Sequence, residues 1–160
     1  MYDNRDFAKR WKRLQQDMAG NGTDVLIALS NDKAVFGPGN VRYLSDFATH
    51  FEDAMVILPA VGEPVLGVGP ETPEYARLHS AIGDIRVIEE FAIPGEDYPY
   101  TKMESLASIL QWMSTRIGRG IDSIGFVGIE LVAWASFTKL QEVMHLSEKW
   151  FDGKEMLLSL

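Results

Sequence analysis

Apolar residues recur at the start of the chain first at helical spacing and then in a continuous run, which predicts a helix followed by a strand. In the first segment they stand three or four positions apart and form one stripe; the stripe consists of Phe7, Trp11, Leu14 and Met18. Asp3 or Asn4 can cap this helix, and the Gly-Asn-Gly sequence at 20–22 ends it. Residues 24–29 are almost all apolar, as in a strand covered on both faces.

The stretch at residues 40–47, with the sequence NVRYLSDF, leads into the clearest strand pair of the chain. We predict that this stretch forms a short irregular or helical turn. After it, residues 54–59 and 64–69 are two apolar runs separated by a short connector that contains Gly62. A glycine in a short connector between two apolar runs indicates a β-hairpin.

The second half of the chain alternates between helical and strand patterns. Thr72 is the predicted cap of one helix, with Pro73 at its first position, and Thr101 and Glu104 match the capping box of another. The predicted strands are residues 86–91, 124–128 and 146–151, and the mixed polarity of the first indicates a sheet edge. The stripes of the three predicted helices are Tyr75, Leu78 and Ile82; Met103, Leu106, Leu110, Met113 and Ile117; and Leu131, Trp134, Phe137, Leu140 and Met144.

This alternation predicts an α/β fold with one sheet and helices on both of its faces. The hairpin makes the sheet mixed, although most of its strands are expected to be parallel. We predict one domain at residues 1–152. Residues 153–160 then look like the start of a helix that is too short to be stable alone. This segment is either a tail docked on the domain or, as we prefer, the start of a linking helix to an absent catalytic domain.

The composition of the chain disfavours some classes of binding partner and excludes cysteine chemistry. The formal net charge of -8 disfavours nucleic acid, because phosphate binding needs clustered basic residues. There is no cysteine, so disulfides and thiolate chemistry are excluded. The polar start lacks the apolar core of a signal peptide, and no apolar run approaches the length of a membrane span. We therefore expect no membrane partner and a cytoplasmic location.

No motif in the chain predicts a catalytic centre. Gly67 and Gly69 lie between a strand and a helix, but Thr72 stands where a dinucleotide fingerprint needs its third glycine. The closest approach to a metal or acid/base cluster is the group His50, Glu52 and Asp53. In an extended segment His50 and Glu52 would share one side and Asp53 would face away, so we predict no catalytic residue and no metal site within this chain.

Arg42 is the one charged residue of the 40–47 stretch whose role can be read in two ways. It stands between Val41 and Tyr43, where neighbouring side chains are expected to pack. In one interpretation it pairs with an acidic neighbour such as Asp46. In the other it is presented across an interface to a substrate carboxylate, which its planar fork can bind with two hydrogen bonds.

Several segments in a fixed order resemble one known family. They are the helix with FAKRWKRL at 7–14 ending at Gly22, the strand TDVLI at 23–27, the NVRYLSDF stretch, and the hairpin at 55–66. Together they are similar to the amino-terminal domain of the creatinase/prolidase (Xaa-Pro peptidase) metallohydrolases. The resemblance covers residues 5–70 well and the remainder by the order of its elements.

The resemblance implies a mixed α/β domain with a ribonuclease-H-like motif, followed in the complete protein by a catalytic domain of the "pita-bread" type. That second domain would hold two divalent metal ions, manganese or cobalt, so no cofactor is expected in this chain. The partners implied are the chain's own catalytic domain and a second subunit in a homodimer. The residues implied at the rim of the active site are Arg42, His50, Phe51 and Glu52.

The implied function is that of a noncatalytic domain in a metal-dependent Xaa-Pro dipeptidase- or aminopeptidase-like hydrolase. Two alternatives remain open from the sequence. The same domain occurs in creatinase- and ectoine-hydrolase-type amidohydrolases, and the chain could instead be a free-standing ligand-binding or regulatory α/β module.

Overall fold

Helices and strands alternate along residues 5–145 and 147–159, the part of the chain that the computed structural model describes. The helices are α1 (Arg5–Asn21), α2 (Gly39–Ser45), α3 (Pro73–His79), α4 (Leu106–Ile117), α5 (Trp134–Met144) and α6 (Lys154–Leu158). The strands are β1 (Val25–Ser30), β2 (Ala54–Pro59), β3 (Val65–Val68), β4 (Asp84–Val87), β5 (Ser123–Val127) and β6 (Lys149–Asp152). Short 3-10 turns lie at Glu89–Phe91 and Ile129–Leu131.

All six strands belong to one sheet with the order β4-β3-β2-β1-β5-β6. The hairpin pairs β2 with β3 antiparallel, and β2 is also antiparallel to β1. The pairs β1–β5, β3–β4 and β5–β6 are parallel. Strand β2 therefore runs opposite to the other five, and the predicted mixed, mostly parallel sheet with a hairpin is confirmed.

The central strand β1 divides its side chains between two apolar layers. Leu26 and Ala28 pack with residues of α1, α2, α3 and α6, whereas Val25, Ile27 and Leu29 pack with residues of α4 and α5. All five side chains are fully buried. Successive side chains on a strand point to opposite faces, so a continuous apolar run is what a strand between two helical layers requires.

The 40–47 stretch is helical and is anchored in the first of these layers. Val41, Leu44 and Phe47 are fully buried there. The backbone N–H of Val41 donates to the Ser30 hydroxyl at 3.0 Å. The indole N–H of Trp11 donates to the Leu44 carbonyl at 2.8 Å, which fixes α1 on α2. The predicted turn is thus a short helix, held by the strand before it and by α1.

The predicted buried stripe of α3 was right at Ile82 but wrong at Tyr75 and Leu78. Tyr75 and Leu78 are 44% and 80% exposed, whereas Ala76 and Ile82 are buried. The large residues have helical spacing, but they lie one position away from the face that meets the sheet. The alanine that occupies this face gave a weak hydrophobic signal. Pro73 does begin the helix, as predicted.

The predicted capping box at Thr101 and Glu104 was also wrong. Helix α4 begins at Leu106, and its cap is Ser105, whose hydroxyl accepts from the Ser108 N–H. Glu104 instead binds Arg86, with 3.0 Å between Nη1 and Oε2. Its backbone forms a bridge beside Ile88, so this segment extends the sheet edge rather than starting a helix.

Other predicted boundaries shift by a few residues. The predicted strand 86–91 ends at Val87 and is followed by a 3-10 turn, and the last strand begins at Lys149. Helix α5 begins at Trp134, which is exposed and does not join the buried stripe, and Leu131 belongs to the 3-10 turn before it. The predicted caps Asp3 and Asn4 lie outside the described residues.

Candidate functional site

The loops that follow β1, β3 and β5 meet the loop that precedes β2 at one edge of the sheet, which we call the carboxyl edge. Strands β1, β3 and β5 end there, at Ser30, Val68 and Val127, and the antiparallel β2 begins there at Ala54. In open α/β sheets, ligands bind outside the carboxyl ends of the strands. The segment at 50–53 that the sequence singled out therefore lies at the edge where the fold can place a site.

Asn31 and Asp32 hold these loops together. The Asn31 side chain accepts from the backbone N–H of Lys33 and of Ala34 and donates to the Leu131 carbonyl, so it joins the loop after β1 to the loop after β5. Asp32 Oδ2 accepts from the Phe51 N–H at 2.8 Å. Neither residue was predicted as part of a site, although polar side chains directly after a buried strand were the signal that could have indicated them.

The 50–53 segment is not extended, and the predicted arrangement of its side chains was wrong. Phe51 has a φ of 67°, in the left-handed region, and this interrupts the alternation of an extended chain. His50 and Phe51 are both exposed, and their rings lie 3.9 Å apart between centroids. Glu52 and Asp53 are both buried. The loop therefore presents two adjacent rings, tilted by 48° to each other, and turns two carboxylates inward.

The Glu52 carboxylate binds the segment that leads into α3. It accepts from the Glu71 N–H at 3.0–3.1 Å and from the Thr72 hydroxyl at 3.2 Å. Thr72 thus precedes α3 as predicted, but its hydroxyl serves Glu52 and makes no cap bond. A Cβ added to Gly69 would lie 2.3 Å from Glu52 Cδ, so this glycine makes room for a carboxylate of the protein itself. Burial raises the pKa of the Glu52 carboxyl, and the bonds from Glu71 and Thr72 lower it.

Asp53 faces the loop that begins α5. Its side chain is 7% exposed, and Oδ1 has no hydrogen-bond partner among the described residues. Burial raises the pKa of this carboxyl, while the charge of Lys33 and donors at Ala133 and Ser136 act in the opposite direction. A third buried carboxylate, Glu90, accepts from the Leu106 N–H at the start of α4, and burial raises its pKa as well.

Because its pKa is raised in the folded state, Asp53 binds its proton more tightly there than in the unfolded chain. The free energy of unfolding therefore falls as the pH rises through the interval between the unfolded and folded pKa values. We expect Asp53→Asn to remove this dependence, so its stability relative to the wild type should increase over a range that begins at about pH 4, the unfolded pKa of an aspartate, and extends upward. Urea unfolding across this range, with the exposed Asp97→Asn as the control, measures it. A stability difference that is constant with pH would contradict the assignment.

Arg42 lies on the exposed side of α2 and lines a surface pocket of about 430 Å³. Within this pocket the Arg10 guanidinium lies 4.4 Å from the centroid of the Tyr43 ring, and it donates to the Tyr43 carbonyl. No ion pair between Arg42 and Asp46 occurs among the described residues; the Asp46 N–H instead donates to the Arg42 carbonyl at 2.9 Å and closes the helix. No described contact joins Arg42 to the pair His50 and Phe51.

The next two findings concern whether the described residues contain a group of metal ligands or a membrane-spanning helix. Within residues 5–145 and 147–159, no three His, Asp or Glu side chains lie together in a way that could hold a metal ion. Among the helices in the same ranges, none combines the length and the apolar character that crossing a membrane requires.

The comparison with protein families gives one match, which spans nearly the whole chain. A family model described as the Creatinase/Prolidase N-terminal domain matches residues 10–160. No curated protein sequence matches the chain significantly.

Several solved structures share the fold at low sequence identity. The prolidase from Pyrococcus horikoshii OT3 is 15% identical with a TM-score of 0.62, and the match covers 93% of this chain and 33% of that one. The dipeptidase PepE from Mycobacterium ulcerans is 16% identical with a TM-score of 0.62, covering 99% and 37%. The N-terminal domain of the cytoplasmic peptidase PepQ from Mycobacterium tuberculosis H37Rv is 16% identical with a TM-score of 0.60, covering 94% and 97%. The chain thus spans about a third of the length of the prolidase and of PepE.

Proposed function

The chain belongs to the creatinase/prolidase N-terminal domain family, and from this premise we propose that it is the noncatalytic N-terminal domain of a metal-dependent Xaa-Pro dipeptidase- or aminopeptidase-like hydrolase. The observation that carries the proposal is the family match over residues 10–160. The names of its structural neighbours, a prolidase and peptidases, indicate the class of the whole protein. The open reading frame beyond Leu160 tests this directly: a continuation about twice as long as this chain supports it, and a stop codon refutes it.

In this proposal the chemistry belongs to the absent catalytic domain, which would hold two divalent ions, manganese or cobalt. Residues 1–152 form the N-terminal domain, and residues 153–160 begin the linking helix. Helix α6 starts at Lys154, and its Met156 side chain is buried against the layer that contains α1. A linking helix anchored in this way would fix the direction in which the chain leaves the domain.

We also propose that the domain contributes to a homodimer and to the rim of the active site. Arg42, His50 and Phe51 are the exposed candidates. Arg42 would supply a guanidinium for a carboxylate, and the adjacent rings of His50 and Phe51 would form an aromatic wall. Glu52 is buried, so its role would be to hold the loop that presents them. A cytoplasmic location goes with this proposal, and the relative PepQ is described as cytoplasmic.

The rim role predicts a binding defect in the two-domain enzyme. Arg42→Ala should raise KM for an Xaa-Pro substrate about tenfold, equivalent to roughly 1.4 kcal/mol, and change kcat much less, because the guanidinium would bind a substrate group that does not react. Arg77→Ala is the matched control, since Arg77 is an exposed arginine that pairs with Glu74 on α3. Unchanged KM in the Arg42 variant would remove Arg42 from the rim.

A further inference from the structure

Large apolar side chains are exposed on two loops of the carboxyl edge and at the first residue of α5, where the loop after β5 ends. Val35 and Phe36, in the loop after β1, are 91% and 87% exposed. Phe51, before β2, is 68% exposed, and Trp134, at the start of α5, is 75% exposed. We call these four residues the edge patch. Exposed apolar side chains grouped in one region mark a site of interaction, whereas single exposed apolar residues do not, and hydrogen bonds bring the segments that carry these four residues together.

The bonds described above join these two loops and the loop after β5 to one another. Asn31 fixes the loop that carries the patch residues Val35 and Phe36 to the Leu131 carbonyl, three positions before Trp134. Asp32 in the same loop holds the Phe51 N–H. The Gly37 N–H donates to the Ala34 carbonyl at 2.9 Å, which closes the loop on itself. The edge patch is therefore built on a connected frame, and a partner would not have to order it on binding.

The end of the described chain lies beside this patch. Phe36 lines a surface pocket of about 200 Å³ together with Leu131 and with Leu157 and Leu158 of α6. A polypeptide that continues from α6 consequently leaves the domain next to Phe36. The prolidase and PepE, of which this chain spans about a third, contain a further segment about twice as long as the matched one.

We propose that the edge patch is the surface on which the domain's own C-terminal catalytic domain docks. This inference rests on the proposed function. It adds to that proposal the surface of this domain that the catalytic domain covers. The partner surface would be apolar opposite Phe36 and Trp134, and Phe51 would lie where this interface meets the proposed rim of the active site. Around the patch the exposed Asp32, Lys33 and Glu130 would form a polar rim that stays in contact with water, as is usual at interfaces.

Hydrogen exchange in the two-domain protein, compared with residues 1–160 alone, tests this inference. Amides of residues 33–37, 49–53 and 132–136 should exchange at least about tenfold more slowly in the longer protein, because docking removes them from water. Amides of the β2–β3 turn around Val61, which is 72% exposed at the opposite edge, should exchange equally in both. Equal exchange at the three loops would overturn the proposal.

A double substitution in the edge patch distinguishes a loss of docking from a loss of folding stability. Phe36→Ser combined with Trp134→Ser should abolish the slow exchange at the three loops in the two-domain protein while leaving the unfolding midpoint of residues 1–160 nearly unchanged, since both side chains are exposed. Val61→Ser is the matched control. Protection that survives the double substitution would also overturn the proposal. A reading frame without a second domain refutes the proposed function as well, whereas an active two-domain enzyme with unprotected loops refutes the docking surface alone.

Discussion

Replacing Phe47 by alanine is expected to lower the free energy of unfolding by about 3–5 kcal/mol. Phe47 is fully buried and is among the largest side chains in the layer that covers one face of the sheet. Its ring lies 5.8 Å from that of Tyr75, so it also joins the 40–47 stretch to α3. The truncation removes this packing and leaves a cavity that the surrounding helices and sheet cannot fill without rearrangement.

Urea or thermal unfolding of the purified chain measures this effect, and Tyr43→Ala is the control within the same stretch. Tyr43 is 38% exposed, and its ring mainly carries the Arg10 guanidinium. Its loss should therefore cost only about 1 kcal/mol. Equal effects of the two substitutions would show that the 40–47 stretch does not anchor the fold through its buried side.

Replacing Glu52 by alanine is expected to cost about 2 kcal/mol, because it leaves the Glu71 N–H and the Thr72 hydroxyl without their partner. The loop that carries His50 and Phe51 should become mobile at the same time. Glu52→Gln should cost less, since the amide oxygen can still accept from Glu71. Unfolding experiments report the stability, and hydrogen exchange of residues 49–53 reports the loop.

Gly69→Ala provides an independent test of the same contact. The new Cβ would lie 2.3 Å from Glu52 Cδ and would force the carboxylate out of its position. In the wild type this substitution should therefore cost about as much as Glu52→Ala. In the Glu52→Ala background it should cost much less, because the group with which it collides is gone. Additive effects of the two substitutions would contradict the proposed role of Glu52.

Much of the fold could be predicted from the sequence because each buried position tends to carry an apolar residue, so the spacing of apolar residues indicates helices and strands. The apolar run of β1 and the stripe of α1 each follow from a single repeated requirement, and the hairpin follows from two runs and a glycine. Helix α3 shows where this reasoning stops. Its buried face is occupied by Ala76, which contributes little hydrophobic signal, so the larger Tyr75 and Leu78 set the wrong phase.

The candidate site was harder to predict because its contacts join residues that are distant in sequence. Thr72 and Thr101 were predicted as local caps. In the structure, however, Glu52 binds the start of α3 across 19–20 positions, and Glu90 binds the start of α4 across 16. Such pairs leave no periodic signal. The left-handed conformation of Phe51 is a second case. A positive φ is uncommon for a residue other than glycine, and nothing in the neighbouring sequence predicts it.

The central claim is that residues 1–160 form a noncatalytic domain and that the metal ions belong to a separate catalytic domain. Its most direct test is a titration of residues 1–160 with Mn²⁺ and Co²⁺, together with an assay of Xaa-Pro dipeptide hydrolysis. The assay is run on the same sample and on the chain extended to its natural stop codon. We predict no stoichiometric metal binding and no turnover for residues 1–160, and metal-dependent turnover for the extended chain. Metal-dependent hydrolysis by pure residues 1–160 would contradict it.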